Sequence, residues 1–178
     1  MIGTKELLRF VKEQKLVENL CERELTNPEG AGFDLRVGEV FLIDKGEAFL
    51  GETQRFTPEV KSIASSGKEK EVTLAPGDYV LVKTMEKINL PSDIAAIFRP
   101  RSTLQRCGVA LFTATASPGY SGELTFGMKN VGNNSFRLEL GARIAHIIFF
   151  NTTENQSDYR GQWQNGRVST QGTKETQV

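Results

Sequence analysis

From Gly30 onward the sequence breaks into short apolar or alternating runs separated by Gly, Pro and Asn, and this punctuation limits the fold more than any other feature. The runs cover 33–40, 71–74, 79–84, 95–98, 108–113, 123–130, 135–140 and 144–150. Alternation of apolar and polar side chains is the mark of a half-buried strand, and none of these runs has the length of an ordinary helix. Pro76-Gly77, Pro118-Gly119, Gly132-Asn133-Asn134 and Gly141 supply a fixed φ or an easily reached positive φ where strands must reverse. Many short strands at this spacing predict a mainly β barrel or jelly roll.

Ahead of that region, residues 4–20 place Leu7, Leu8, Val11, Leu16 and Leu20 near helical spacing behind Thr4, which predicts an amphipathic helix with a threonine cap. Residues 46–70, with Ser65-Ser66-Gly67 and mixed charges, read as an insertion or mobile hairpin. The expected organisation is one domain over 1–150 and a polar tail over 151–178 that becomes ordered only by docking on something.

Lysine plus arginine equals aspartate plus glutamate at 22 each, so no overall field draws the chain to nucleic acid or an anionic membrane. An anion site must come from local clustering. The apolar run 144–150 is far short of the ~20 residues of a membrane span, and residues 1–10 lack the order of a signal peptide, so a cytoplasmic protein is expected. Cys21 and Cys107 have no C-x-x-C spacing and read as buried or partly buried free thiols; a single histidine, His146, argues against a zinc site.

Such a cluster lies in the segment Phe98-Arg-Pro-Arg-Ser-Thr-Leu-Gln-Arg-Cys-Gly108. Its arginines match phosphate oxygens in forked pairs, and the hydroxyls of Ser102 and Thr103 can complete an anion cradle, although arginine clusters also serve as surface ion-pair partners. AGFDLRVG at 31–38, LAPGDYVLVKTMEKINLPSDI at 74–94, RSTLQRCGV at 101–109, PGYSGELTF at 118–126 and NVGNNSFRLELGARIAHIIFF at 130–150 stand in an order that resembles the trimeric dUTPase and dCTP deaminase superfamily. The resemblance spans residues 20–166 and lies in the ordered set rather than in any one block.

It implies a dUTPase-like β-clip or jelly-roll subunit with an N-terminal helix, a homotrimer with active sites at its interfaces, and a C-terminal tail that closes each site over dUTP or dCTP. The triphosphate falls to Arg101, Ser102, Thr103 and Arg106, with Mg²⁺ carried on the substrate oxygens rather than in a protein cage. Tyr120 packs against the deoxyribose, and backbone around 112–115, Thr113 included, reads the pyrimidine. Tyr159 and Gln162, in YRGQWQNGR at 159–167, match a tail segment that covers the nucleotide, with Trp163 as a lid or a subunit anchor. His146 stands where many dUTPases turn a glutamine toward the phosphates; a satisfied core or interface histidine is the plainer role.

Two positions depart from the superfamily pattern. Ser117 stands where an aspartate orients or activates the attacking water, and a hydroxyl is a far weaker proton acceptor than a carboxylate at neutral pH. Gly127 stands where the deaminase branch carries its glutamate. Glu123 is a substitute carboxylate if it shares a strand face with Thr125 and Gly127. Asp34 is another, although the resemblance gives this aspartate a structural pairing with an arginine such as Arg36. Hydrolysis of dUTP to dUMP and pyrophosphate departs from its pattern once and dCTP deamination twice, so the pyrophosphatase is the favoured expectation, with a deaminase and a non-catalytic nucleotide-binding homologue as alternatives.

Overall fold

The computed structural model describes residues 1–153 and 157–177. In chain order they form α1 (Thr4–Gln14), β1 (Val17–Glu18), α2 (Glu22–Thr26), β2 (Gly32–Ile43), β3 (Phe49–Leu50), β4 (Gln54–Phe56), β5 (Val60–Ser65) and β6 (Glu71–Leu74). After these come β7 (Tyr79–Asn89), β8 (Ile94–Pro100), α3 (Ser102–Arg106), β9 (Val109–Phe112), β10 (Thr115–Ala116), β11 (Ser121–Asn130), β12 (Phe136–Glu139), β13 (Arg143–Asn151), a single 3-10 turn (Gln164–Gly166) and β14 (Glu175–Thr176).

One curled antiparallel sheet carries the core, in the order β10-β8-β13-β2-β7-β11-β9, with β1 on the side of β7 and β5 on the side of β2. Its inward rows are the alternating residues of the sequence: Phe33, Leu35 and Val37 of β2, Val80 and Val82 of β7, and Ile147 and Phe149 of β13 are all buried. β7 runs five residues past the end of its apolar alternation. Period-two burial continues through Thr84 and Glu86, which face inward although polar. Both are paired: the Thr84 hydroxyl donates to the Glu86 carbonyl (2.7 Å) and accepts from the Leu124 amide (3.0 Å), and Glu86 accepts from the backbone and guanidinium of Arg36 (2.7 and 2.6 Å). Burial pushes the Glu86 carboxyl up in pKa, and the bonds from Arg36 pull the other way.

The helix expected over 4–20 stops at Gln14, where Lys15 turns left-handed (φ 53°). Leu16 and Val17 then leave the helical path to fill the core, and β1 pairs with β7. Thr4 is the first helical residue rather than the cap; Gly3 holds that position in extended geometry without a side-chain bond. Cys21 is half-buried, but Cys107 is exposed beyond α3, contrary to the expectation for that thiol.

Segment 46–70, expected as an insertion or mobile hairpin, has a structural partner. Its hairpin β3–β4 takes β14 of the tail as a third strand, and β5 adds to the outer half of β2. Thr57 and Thr170 exchange reciprocal bonds, each backbone amide donating to the other's hydroxyl oxygen at 2.9 Å. The tail thus gains the order that its own composition cannot supply.

Candidate functional site

The charged part of the site is built on Asp34. Asp34 of β2 lies directly opposite His146 of β13 in the ladder, and the Ile144 carbonyl of β13 holds the Arg101 amide at 3.0 Å just past the end of β8. This geometry gathers three partners on one carboxylate that is 1 % exposed: Arg101 at 2.6 Å, Arg143 at 2.8 Å and His146 Nδ1 at 2.9 Å. Arg23 approaches at 3.8 Å. The Asp34 amide donates to Glu24 at 2.9 Å, so a second buried carboxylate ties α2 to the same point. Burial acts to raise the Asp34 pKa, but the hydrogen bond with His146 and the charge of Arg101 outweigh it and hold the carboxyl below its ordinary value.

Arg36 is not the partner of Asp34, because it is drawn to Glu86 on the other side of β2. Gly32 makes the close approach of β2 and β13 possible, since a β-carbon there would fall 1.8 Å from the Ile147 carbonyl oxygen. Within the arginine segment, α3 buries Leu104 and leaves Ser102, Thr103 and Arg106 exposed. The Arg106 guanidinium donates to the Ser102 carbonyl at 3.1 Å and is otherwise open to solvent.

The second part is a cavity of about 500 Å³, mostly apolar, walled by Leu81, Phe98, Ala116, Leu124 and Phe126 of the sheet, by Pro58 and Val60 of segment 46–70, and by Tyr159, Trp163 and Arg167 of the tail. Ser117, Tyr120, Thr115, Thr125 and Tyr79 bring hydroxyls to it. Tyr120 is buried, donates to the Glu123 carbonyl at 2.6 Å and meets the Tyr159 ring edge-on at 5.3 Å. Burial, with smaller contributions from Tyr159 and Glu123, pushes its phenol up to about 12. Thr113 lies beside the cavity with its hydroxyl on the Phe98 carbonyl, at 3.3 Å.

The glycines of P-G-Y-S-G read as turn residues in sequence, and the structure adds another use for them. A β-carbon on Gly122 would fall 2.3 Å from the Gly166 amide nitrogen, and one on Gly119 would fall 2.5 Å from the Asp158 β-carbon. The tail therefore lies backbone against backbone on this motif. Gln164 clamps it there, accepting from the Ser121 amide and donating to the Gly119 carbonyl, each at 2.9 Å. Sequence reasoning overlooked Gln164, Asp158, Arg143, Arg167 and Tyr79; only their placement by the tail and the sheet gives them a part.

Other expected residues fall elsewhere. β7 bulges by two residues opposite Glu123 and Thr125 while burial along β11 keeps alternating, and Glu123, its carboxylate against Gly166, lines a shallow cleft with Asn19, Lys83 and Ser66 rather than the cavity. Gln162 is turned inward, and neither end of its amide has a partner among the described residues. Among the described residues no Asp or Glu lines the cavity, and none of Asp34, Arg101, Ser102, Thr103, Arg106 or His146 does so either. Within one chain, the arginine segment and the cavity are separate half-sites. Among the described residues there is no cluster of three or more His, Cys, Asp or Glu suited to a metal ion, and no helix long and apolar enough to cross a membrane.

The sheet order, the arginine turn and the hairpin of the third motif place the chain in the dUTPase-like class of β proteins. It belongs to the dCTP deaminase-like family, whose model matches residues 1–152. It is 30% identical over 158 residues to a dUMP-forming dCTP deaminase of Dictyoglomus turgidum, covering 86% of this chain and 81% of that one. To a deoxyuridine 5'-triphosphate nucleotidohydrolase of Methanocaldococcus jannaschii it is 32% identical over 145 residues, 81% of this chain and 89% of that one. The crystal structure of a 2'-deoxycytidine 5'-triphosphate deaminase from Agrobacterium tumefaciens shares the fold, with a TM-score of 0.63 at 16% identity; the match takes in 83% of this chain and 46% of that chain.

Proposed function

We propose that this chain is a deoxypyrimidine nucleoside triphosphate hydrolase that converts dUTP to dUMP and pyrophosphate. The observation that carries this reading is the position of Asp158. The Tyr159 amide, bonded to the Pro118 carbonyl at 2.7 Å, pins Asp158 over Gly119, two residues from Ser117. A carboxylate therefore stands beside the third motif although position 117 holds serine. In this scheme Ser117 holds the attacking water and Asp158 accepts its proton as the new bond to the α-phosphorus forms and the bridging oxygen leaves with pyrophosphate.

Arg101, Ser102, Thr103 and Arg106 bind the triphosphate from a neighbouring subunit of a homotrimer, which is how the two half-sites become one. Tyr120 packs on the deoxyribose, excluding a 2′-hydroxyl, while backbone over 112–115 reads the base. His146, whose Nδ1–H donates to Asp34, donates from Nε2 to a phosphate oxygen when its ring is protonated. Tyr159 covers the sugar side, and the unpaired Gln162 amide finds phosphate oxygens when the tail shifts over bound nucleotide. Magnesium enters on the triphosphate and neutralises charge there. Such an enzyme serves the cytoplasmic nucleotide pool and needs neither nucleic acid nor membrane.

Deamination of dCTP is the second reading, motivated by the deaminase relatives, but its proton shuttle is missing because Gly127 stands where that branch carries a glutamate and the Tyr79 phenol fills the space. The test is a product assay with dUTP and dCTP separately plus Mg²⁺, resolving dUMP, pyrophosphate and ammonia. Pyrophosphate from dUTP, with kcat lowered about 10²- to 10⁴-fold in Asp158→Asn and analogue binding retained, is expected. Ammonia from dCTP would establish the deaminase, and binding without either product would mean a nucleotide-binding homologue that has lost its chemistry.

A further inference from the structure

Gly127 sits in the interior of β11, opposite Leu81 of β7 on one side and Phe112 of β9 on the other. Its backbone is not in the left-handed region, so conformation does not require glycine there. A neighbour does: a β-carbon at 127 would fall 2.2 Å from the hydroxyl oxygen of Tyr79 and 3.3 Å from the Phe112 ring. The Tyr79 phenol fills the space that a side chain at 127 would need, leaning toward Phe112 with ring centres 6.1 Å apart.

The phenol side of this arrangement borders the cavity, whose wall includes neither Gly127 nor Phe112. Tyr79 lines it, and its hydroxyl makes no hydrogen bond among the described residues. Thr125, two residues from Gly127, also lines it, and its hydroxyl is buried without a partner. A buried unpaired hydroxyl costs free energy unless something supplies a partner, and a bound ligand in the cavity can do so. Burial raises the Tyr79 pKa, so at neutral pH the group is a phenol and not a phenolate.

Resting on the proposed nucleotide-binding role, and with the pyrimidine ring placed in this cavity, we propose that Tyr79 is a specificity-determining residue, its phenol standing in place of a side chain at 127 and donating to a C4 carbonyl, with Thr125 as the adjoining polar contact. A carboxylate at 127 would be acceptor-only and matched to the amino group of cytosine; a phenol supplies the donor that the carbonyl of uracil lacks. A phenol can also accept from an amino group but is the better donor, so the pair favours the carbonyl of uracil over the amino group of cytosine by hydrogen-bond strength. The plainer role for Tyr79 is aromatic cover of a strand glycine, which involves the ring and not the hydroxyl.

The two roles separate in Tyr79→Phe, which keeps the ring. Dissociation constants for the α,β-imido analogues of dUTP and dCTP are measured by calorimetry on the full chain with Mg²⁺. Tyr79→Phe is expected to weaken the dUTP analogue about 3- to 10-fold while the dCTP analogue changes less than about 2-fold, narrowing the preference. Gly127→Ala, by pushing the phenol aside, is expected to narrow it similarly, and the double variant to go no further. An unchanged preference in Tyr79→Phe with wild-type melting temperature overturns the proposal and leaves the function intact. A wild-type chain that binds neither analogue overturns both together. If Gly127→Ala does not fold, Tyr79→Phe alone decides.

Discussion

The two half-sites are held together by opposite physics. Around Asp34, charges are taken out of water and fixed on one another: two arginines and a histidine contact one buried carboxylate, supplied by β2, β13 and the turn after β8. Around the cavity, the wall is apolar and its roof is a polar tail held by a few backbone and amide bonds on Pro118–Glu123 and on segment 46–70. The first arrangement resists local opening, because separating any partner leaves a desolvated charge; the second opens by breaking a handful of bonds that water can replace. A phosphate-binding turn that must stay fixed and a lid that must let nucleotide in and out have these contrasting requirements.

The contrast breaks most severely at Asp34. Asp34→Ala leaves Arg101 and Arg143 without their shared anion in a buried site, and a loss of about 3–5 kcal/mol is expected by urea melts at pH 7. Because the native carboxyl lies below its ordinary value, its stabilisation is fully present above the unfolded pKa of 3.8 and is lost as pH falls through the lower native value. Melts repeated down to that range should therefore show wild type converging on the variant; a constant gap would mean that the ion pairs do not carry the difference.

Next in size, Arg106→Ala sharpens the comparison from the ligand side. Arg106 is exposed and has no anionic partner among the described residues, so stability should be unchanged while affinity for a non-hydrolysable dUTP analogue falls about 10- to 100-fold, the scale of a lost charge-assisted contact. Loss of stability with affinity preserved would place Arg106 in the scaffold. The smallest effect is expected from Gln164→Ala, which removes two bonds from the roof. Hydrogen exchange at the Ser121 amide should accelerate roughly 5- to 10-fold with global stability nearly constant, and slow exchange in the variant would show that the Thr57–Thr170 link holds the tail unaided.

Much of the fold was legible because its signals are local. β6 coincides with its run at 71–74, and the other runs are strands whose ends move by a few residues. Where the reading failed, the cause lay in distant partners. β7 continues past Thr84 because Arg36, fifty residues away, satisfies Glu86 in the inward row. Likewise α1 stops at Gln14 because Leu16 and Val17 are worth more in the core than on a helix face.

By itself the sequence determined the mainly β class, the family and the arginine segment, because alternation, turn residues and ordered motif blocks are properties of neighbours along the chain. Only the tertiary structure decided that Asp34 pairs with Arg101, Arg143 and His146 instead of Arg36, that Glu123 lines a separate cleft, that segment 46–70 and the tail form one small sheet, and that Tyr79 occupies the space over Gly127. Each of these depends on strand register and on contacts between residues far apart in sequence, which no pattern of neighbours along the chain encodes.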